Sequence, residues 1–159
     1  MNQSERFFSC EDSKFKIENW CGYRDRSINE TKQKLFSYGL DTAQVDKLIT
    51  QLIEDKFLDD ERFADSFVSG KFRIKSWGKQ KIYAYLLQKK IDKAFITSAL
   101  ASIDYDEYVA TAKHLVEKKW RLLEKEKDDW KRKQKVIQYV AGRGFEFDVI
   151  NEAFSNAQL

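Results

Sequence analysis

No proline occurs in these 159 residues, where ordinary usage of about 5% would supply roughly eight. Proline breaks helix interiors, so a chain without it is free to be helical nearly throughout. Histidine is almost as scarce. The single one, His114, falls on a helical wheel opposite Leu115 and Val116, so the commonest general base is represented only by a surface side chain. The two cysteines, Cys10 and Cys21, have no neighbouring histidine or further cysteine to complete a metal site. They read as reduced thiols acting as small core residues, with a disulfide as the alternative. No apolar run approaches the ~20 residues a membrane helix needs, and a signal-peptide pattern is missing. A soluble, cytoplasmic protein with no membrane association is the expectation.

Catalytic constellations are equally scarce. Asp59-Asp60-Glu61 could suggest an acid–base or metal cluster, but carboxylates in the first turn of a helix are ordinarily caps. Gly78-Lys79-Gln80-Lys81 brushes against a phosphate loop, yet Arg73 and Gln80 stand where that motif needs glycine and Ser or Thr. No nucleophile–base pair stands out. The residues therefore predict no catalytic site, no metal and no cofactor, and a protein that is not an enzyme.

What is present is a repeat with a period of about fifty residues. Leu40, Ile91 and Phe145 align, 51 and then 54 residues apart. Five positions after each comes Val45, Ile96 or Ile150, and nine positions after comes Ile49, Leu100 or Phe154. A short apolar helix, a tight break and a second apolar helix recur at fixed spacing. Stacks of such units ordinarily present a binding surface. Hydrophobic residues at 42% suffice for a core, and charged residues at 35% suit thin helical layers with a large solvated surface.

Helix signals fall in a regular order. A first helix is expected from Glu11 to Cys21, with Phe15, Ile17 and Trp20 as its apolar content. Ser27 to Glu30 has capping-box spacing, and that helix ends near Gly39. Val45, Leu48, Ile49, Leu52 and Ile53 form an amphipathic stripe after a cap at Asp41. The second unit runs through Phe63 to Val68, Ile82 to Leu87 and Phe95 to Ile103; the third runs through Tyr108 to Leu123, Asp128 to Ala141 and Val149 to Phe154. The expected fold is all-α: three tandem three-helix repeats over 11–57, 58–104 and 105–159, in an elongated, curved array, after a frayed stretch over 1–10. Leu48, Ile49, Leu86, Ile96, Leu100, Ile137 and Phe154 are expected to be nearly inaccessible.

The net charge of +3 hides a segregation. Residues 41–66 carry eight acidic and three basic side chains, whereas 71–93 carry eight basic and one acidic. Residues 113–135 carry ten basic and five acidic. Lys71, Arg73, Lys75, Lys79 and Lys81 surround Phe72 and Trp77, and Lys131, Arg132 and Lys135 share an outer face with Tyr139. Such faces can neutralise phosphates while their aromatics pack on a base or a protein surface. The alternative is that the aromatics are core and the lysines only solubilise.

Several ordered motifs resemble one family, the RecX proteins. Phe57-Leu58-Asp59-Asp60-Glu61-Arg62-Phe63-Ala64 is similar to the family's Tyr/Phe-Leu-Asp-Asp-x-Arg-Phe-Ala signature. Tyr23-Arg24-Asp25-Arg26-Ser27 with Lys34-Leu35 resembles its first unit. Gly78, Ile82, Leu86 and Lys90-Ile91 resemble the second unit, and Tyr139, Arg143-Gly144-Phe145 and Ile150 the third. Thr31 departs from a usual leucine, and Ser76 from a frequent glycine, so the joint before Gly78 is expected to be stiffer. The resemblance implies three-helix units that dock along the groove of the RecA–DNA filament and restrain its growth, strand exchange and stimulated repressor cleavage. It implies the RecA filament as partner and a monomeric regulator. The expected contact residues are Lys71, Arg73, Lys75, Lys79, Lys81, Lys131, Arg132, Lys135 and Arg143. Direct contact with single- or double-stranded DNA stays open, as do two rivals: a general nucleic-acid-binding module and a helical scaffold for another protein.

Overall fold

The computed structural model describes residues 8–159. Among the described residues it contains nine helices and no strand: α1 (Cys10–Tyr23), α2 (Ile28–Ser37), α3 (Thr42–Glu54), α4 (Asp60–Arg73), α5 (Lys79–Gln88), α6 (Lys93–Ala101), α7 (Tyr105–Leu122), α8 (Asp129–Gly142) and α9 (Phe147–Asn156). Most of the stretch expected to be frayed, residues 1–7, lies outside the described residues. Cys10 already belongs to α1, whose N-terminus is capped by the Ser9 hydroxyl accepting from the Asp12 N–H.

Short polar side chains set the helix starts. Ser27 and Glu30 form the expected capping box on α2, and Asp41 with Gln44 forms another on α3. Asp59, Asp92, Asp104 and Asp128 cap α4, α6, α7 and α8. The second helix of every unit ends in the same way. Gly39, Lys90 and Gly144 each take a left-handed conformation, with φ of 88°, 61° and 101°. The next residue in each case is Leu40, Ile91 or Phe145, and all three are buried. This is the physical content of the fifty-residue repeat: a left-handed helix stop followed by an apolar anchor.

The tightest helix–helix packing falls within three groups, α1 to α3, α4 to α6 and α7 to α9. The hydrophobic interior is divided differently. The first repeat has its own core, built from Ile17, Leu35, Val45, Leu52 and their neighbours. The second and third repeats share one continuous core. Tyr108 of α7 bridges it, stacking on Phe145 at 4.9 Å and facing Phe72 at 5.8 Å between ring centres.

Four of the seven residues expected to be inaccessible, Leu48, Ile49, Leu86 and Ile96, are buried. Leu100, Ile137 and Phe154 are not; each is only partly covered and packs against the core from its edge. On α8 the buried pair is Val136 and Val140, one turn apart, and Ile137 flanks them. Phe15, part of the apolar content of the first helix, is 68% exposed, because α1 buries Ser13, Ile17 and Cys21, and Phe15 lies on the opposite face. Thr31 replaces a usual leucine without leaving an orphan. It is fully buried, and its hydroxyl donates to the Ser27 carbonyl at 2.8 Å.

The two joints between repeats differ in chemistry. Asp60 of the second repeat accepts from the Ile28 N–H of α2 at 2.8 Å. Arg62 donates to Asp25 at 3.0 Å and to the carbonyls of Lys56 and Phe57, while Ser66 donates to the other Asp25 oxygen at 2.9 Å. The first joint is thus a polar network. In the second joint, backbones touch. Gly78 N–H donates to the Arg143 carbonyl at 2.7 Å, and Gln80 N–H donates to the Gly144 carbonyl at 3.0 Å. A Cβ on Gly144 would lie 2.5 Å from the Lys81 Cβ and 2.7 Å from its nitrogen.

Substitution therefore separates two roles of the left-handed stop. Gly144→Ala should lower stability to urea unfolding by about 1–3 kcal/mol, since it overfills the joint and strains the backbone. Lys90→Gly should raise stability by about 1 kcal/mol, because it relieves the cost of a side chain on a left-handed backbone.

Candidate basic and aromatic interface

Trp77 organises the basic cluster of the second repeat. Ser76, with φ of 54°, turns the chain out of α4, and the Trp77 N–H returns to the Lys71 carbonyl at 3.0 Å. The serine thus holds the left-handed position that the frequent glycine would fill. The indole sits 6.4 Å from Phe67 and 4.8 Å from Tyr85. The ammonium of Lys71 lies 4.8 Å from its ring centre and that of Lys81 lies 4.4 Å from it. These cation–π contacts hold two half-buried lysines against an aromatic wall.

Lys79 and Lys81 occupy the first turn of α5, where the helix dipole disfavours positive charge. Two backbone donors of that turn are also engaged: Lys79 N–H donates to the Tyr108 hydroxyl at 2.9 Å and Gln80 N–H to the Gly144 carbonyl. Tyr108 donates in turn to Glu146 at 2.7 Å. Burial pushes the Tyr108 hydroxyl far above its ordinary range, so it remains a donor. An anion at this surface would therefore meet ammonium groups rather than a free helix N-terminus. Arg143 joins the cluster from the third repeat, donating through Nη2 to the Lys75 carbonyl. Its Nε is buried without a hydrogen-bond partner among the described residues. Arg73 and Lys75 are exposed beside it.

The three basic residues of α8 are unlike one another. Lys131 is exposed. Lys135 pairs with Glu126 at 2.8 Å, and this hydrogen bond holds the glutamate carboxyl below its ordinary value. Arg132 lies 4.1 Å over the Trp120 ring and donates through Nε to the Trp120 carbonyl at 3.0 Å. Arg26 makes the same clamp in the first repeat, 3.9 Å over Trp20 with Nε donating to the Trp20 carbonyl at 3.1 Å. In the third repeat the clamp ties the last turn of α7 to α8, whereas Arg26 reaches back from the connection just before α2; Arg132 is thus committed within the fold.

Sequence reasoning did not single out a cleft between the first and second repeats, where Arg24 and Asp25 face Phe67, Lys71, Tyr85 and Lys89. The aromatics of the second repeat were its only available signal, because the facing residues come from another unit. Elsewhere, His114 is exposed as expected, and both cysteines are free thiols, Cys21 buried and raised above its ordinary value by that burial. Among the described residues there is no group of three or more His, Cys, Asp or Glu side chains placed to hold a metal ion. None of the described helices is long and apolar enough to cross a membrane.

A stability comparison separates the clamp from the surface. Arg132→Ala should cost about 1–2 kcal/mol in urea unfolding, because its charge-assisted hydrogen bonds go with it. Lys131→Ala, one residue away, should change it by no more than about 0.5 kcal/mol.

Residues 59–100 match the second three-helix domain of RecX, and residues 106–154 match the third. Regulatory protein RecX of Clostridium beijerinckii is 30% identical over 151 residues, covering 94% of this chain and 68% of that protein. Its Clostridium botulinum counterpart is 34% identical over 137 residues, covering 84% and 64%. The chain spans about three fifths of the length of several curated relatives, 59% in the case of Regulatory protein RecX of Clostridium perfringens. The crystal structure of RecX from Lactobacillus salivarius has the same fold, with a TM-score of 0.85 at 22% identity, covering 92% of this chain and 94% of that one. On the matched domains and these relatives, the chain belongs to the RecX family.

Proposed function

We propose that the chain is a regulator, mainly an inhibitor, of the RecA recombinase. It binds in the groove of the RecA–DNA filament and restrains filament extension, strand exchange and co-protease activity. Membership of the RecX family carries the proposal, together with relatives that bear the name Regulatory protein RecX. Three small helical units in series suit a ligand that is itself a repeating polymer. The charge segregation suits a mixed target, with acidic protein surface and nucleic acid meeting different zones.

The mechanism is steric and electrostatic occupation of the groove and involves no covalent chemistry. Lys71, Arg73, Lys75, Lys79, Lys81 and Lys131 form the basic contact surface. Arg132, Lys135 and Arg143 act one step back, by fixing the helices that present it. The protein works as a cytoplasmic monomer. Contact with DNA accompanies the protein contact, a reading supported by the lysines held against Trp77.

RecA's single-strand-dependent ATP hydrolysis tests the proposal. Wild-type protein should suppress it at saturation. The double variant Arg73→Ala, Lys131→Ala should require more protein for the same effect. Its salt slope should be shallower by about 0.7 for each phosphate the variant no longer neutralises. Equal wild-type affinity for naked single strands and for filaments, without any effect on RecA, would contradict the proposal and favour a general nucleic-acid-binding module.

A further inference from the structure

The cleft at the polar joint between the first and second repeats combines an aromatic wall, three cations and a single, already paired lining carboxylate. Its aromatic wall continues a row in which Phe63 stacks on Phe67 at 5.9 Å, Phe67 meets Trp77, and Trp77 meets Tyr85 at 4.8 Å. Tyr85 ends the row and is 43% exposed, so its ring is open to a ligand. Arg24, Lys71 and Lys89 supply three cations at the cleft, against one carboxylate. That carboxylate, Asp25, is occupied by Arg62 and Ser66, so its repulsion of an incoming anion is largely offset. Arg24 and Lys89 share Glu30, at 3.3 and 3.9 Å, whereas Lys71 has no ion-pair partner among the described residues. Phe67 and Trp77 hold the Lys71 ammonium at the cleft wall, 5.4 and 4.8 Å from their ring centres.

The geometry points to a nucleotide subsite for single-stranded nucleic acid, in which one unstacked base lies against Tyr85 and Phe67 while its phosphates meet Lys71 and Arg24. A flat apolar face flanked by cations is the combination that a nucleotide presents in complement. An acidic peptide would use the cations but leave the ring faces bare. Arg24 comes from the first repeat and Lys71 and Tyr85 from the second. A strand seated here therefore bridges the two hydrophobic cores across a joint that is otherwise polar. The inference deepens the proposed function, resting on it only for the source of the strand.

Oligonucleotides without RecA supply the test. Wild type, Tyr85→Ala, Tyr85→Phe and Lys71→Ala are titrated by fluorescence anisotropy against an oligothymidylate and an abasic deoxyribose-phosphate oligomer of equal length. Helical circular dichroism confirms that each variant is folded. Wild type should prefer the base-bearing strand by roughly tenfold or more. Tyr85→Ala should remove that preference without changing affinity for the abasic strand, and Tyr85→Phe should retain it. Lys71→Ala should weaken both and reduce the salt slope by about 0.7. Equal wild-type affinity for the two strands, or parallel losses on both in Tyr85→Ala, would overturn the subsite. A Tyr85→Ala protein that binds both strands as wild type does but no longer affects RecA would overturn it too, in favour of a protein-docking cleft. Wild type that shows the base preference yet leaves RecA untouched would sink the regulator proposal and leave the subsite standing.

Discussion

Two peptide groups from different repeats meet where Gly78 approaches Gly144, and much of the molecule is arranged around that meeting. A helix start leaves four N–H groups without intrahelical partners. α5 has no side-chain cap for them, because its N-cap residue is glycine. The third repeat supplies acceptors for three of them instead: the carbonyls of Arg143 and Gly144 and the hydroxyl of Tyr108. α9 likewise has no side-chain cap, and its N-cap residue Glu146 turns to accept from Tyr108. The two uncapped helix starts thus converge on one tyrosine. Any Cβ on Gly78 would collide with the Gly144–Phe145 peptide, so the arrangement depends on glycine there.

From this contact follow the shared core and the position of the basic cluster. Tyr108 sits between Phe72 and Phe145 and so joins the apolar interiors of two repeats. The same joint brings Arg143 beside Lys75 and places Lys81 directly on Gly144. Basic side chains at the positive end of α5 are locally unfavourable, and a fold tolerates such a conflict mainly at functional positions. The first repeat is attached otherwise. Asp25, Asp60 and Arg62 connect it through charge-assisted hydrogen bonds, with its core kept separate. The strongest family motif therefore builds a joint: Asp59 caps α4, Asp60 receives the N-terminus of α2, and Arg62 reaches back to Asp25.

Much of the fold was legible in sequence because helix starts and stops are local chemistry. The absence of proline, the Ser27 and Asp41 caps and the alignment of Leu40, Ile91 and Phe145 each had a direct structural counterpart. The edges of the apolar faces were less legible. Periodicity marks a stripe, but how far a neighbouring helix covers Leu100, Ile137 or Phe154 depends on packing that the spacing does not encode. The candidate surface was legible as composition only. Nothing in the spacing of Arg132 marks its acceptor, a backbone carbonyl 12 residues earlier, as distinct from a phosphate. Lys71 and Lys131 have the same charge in the sequence. Only the fold distinguishes a lysine held on an aromatic wall from one extended into solvent.

Electron microscopy of RecA–single-stranded-DNA filaments, with and without this protein, tests the central claim most directly. Groove occupation predicts continuous additional density winding along the filament with the RecA repeat, each protein spanning neighbouring subunits. Bare filaments lying beside protein-coated free DNA would contradict it.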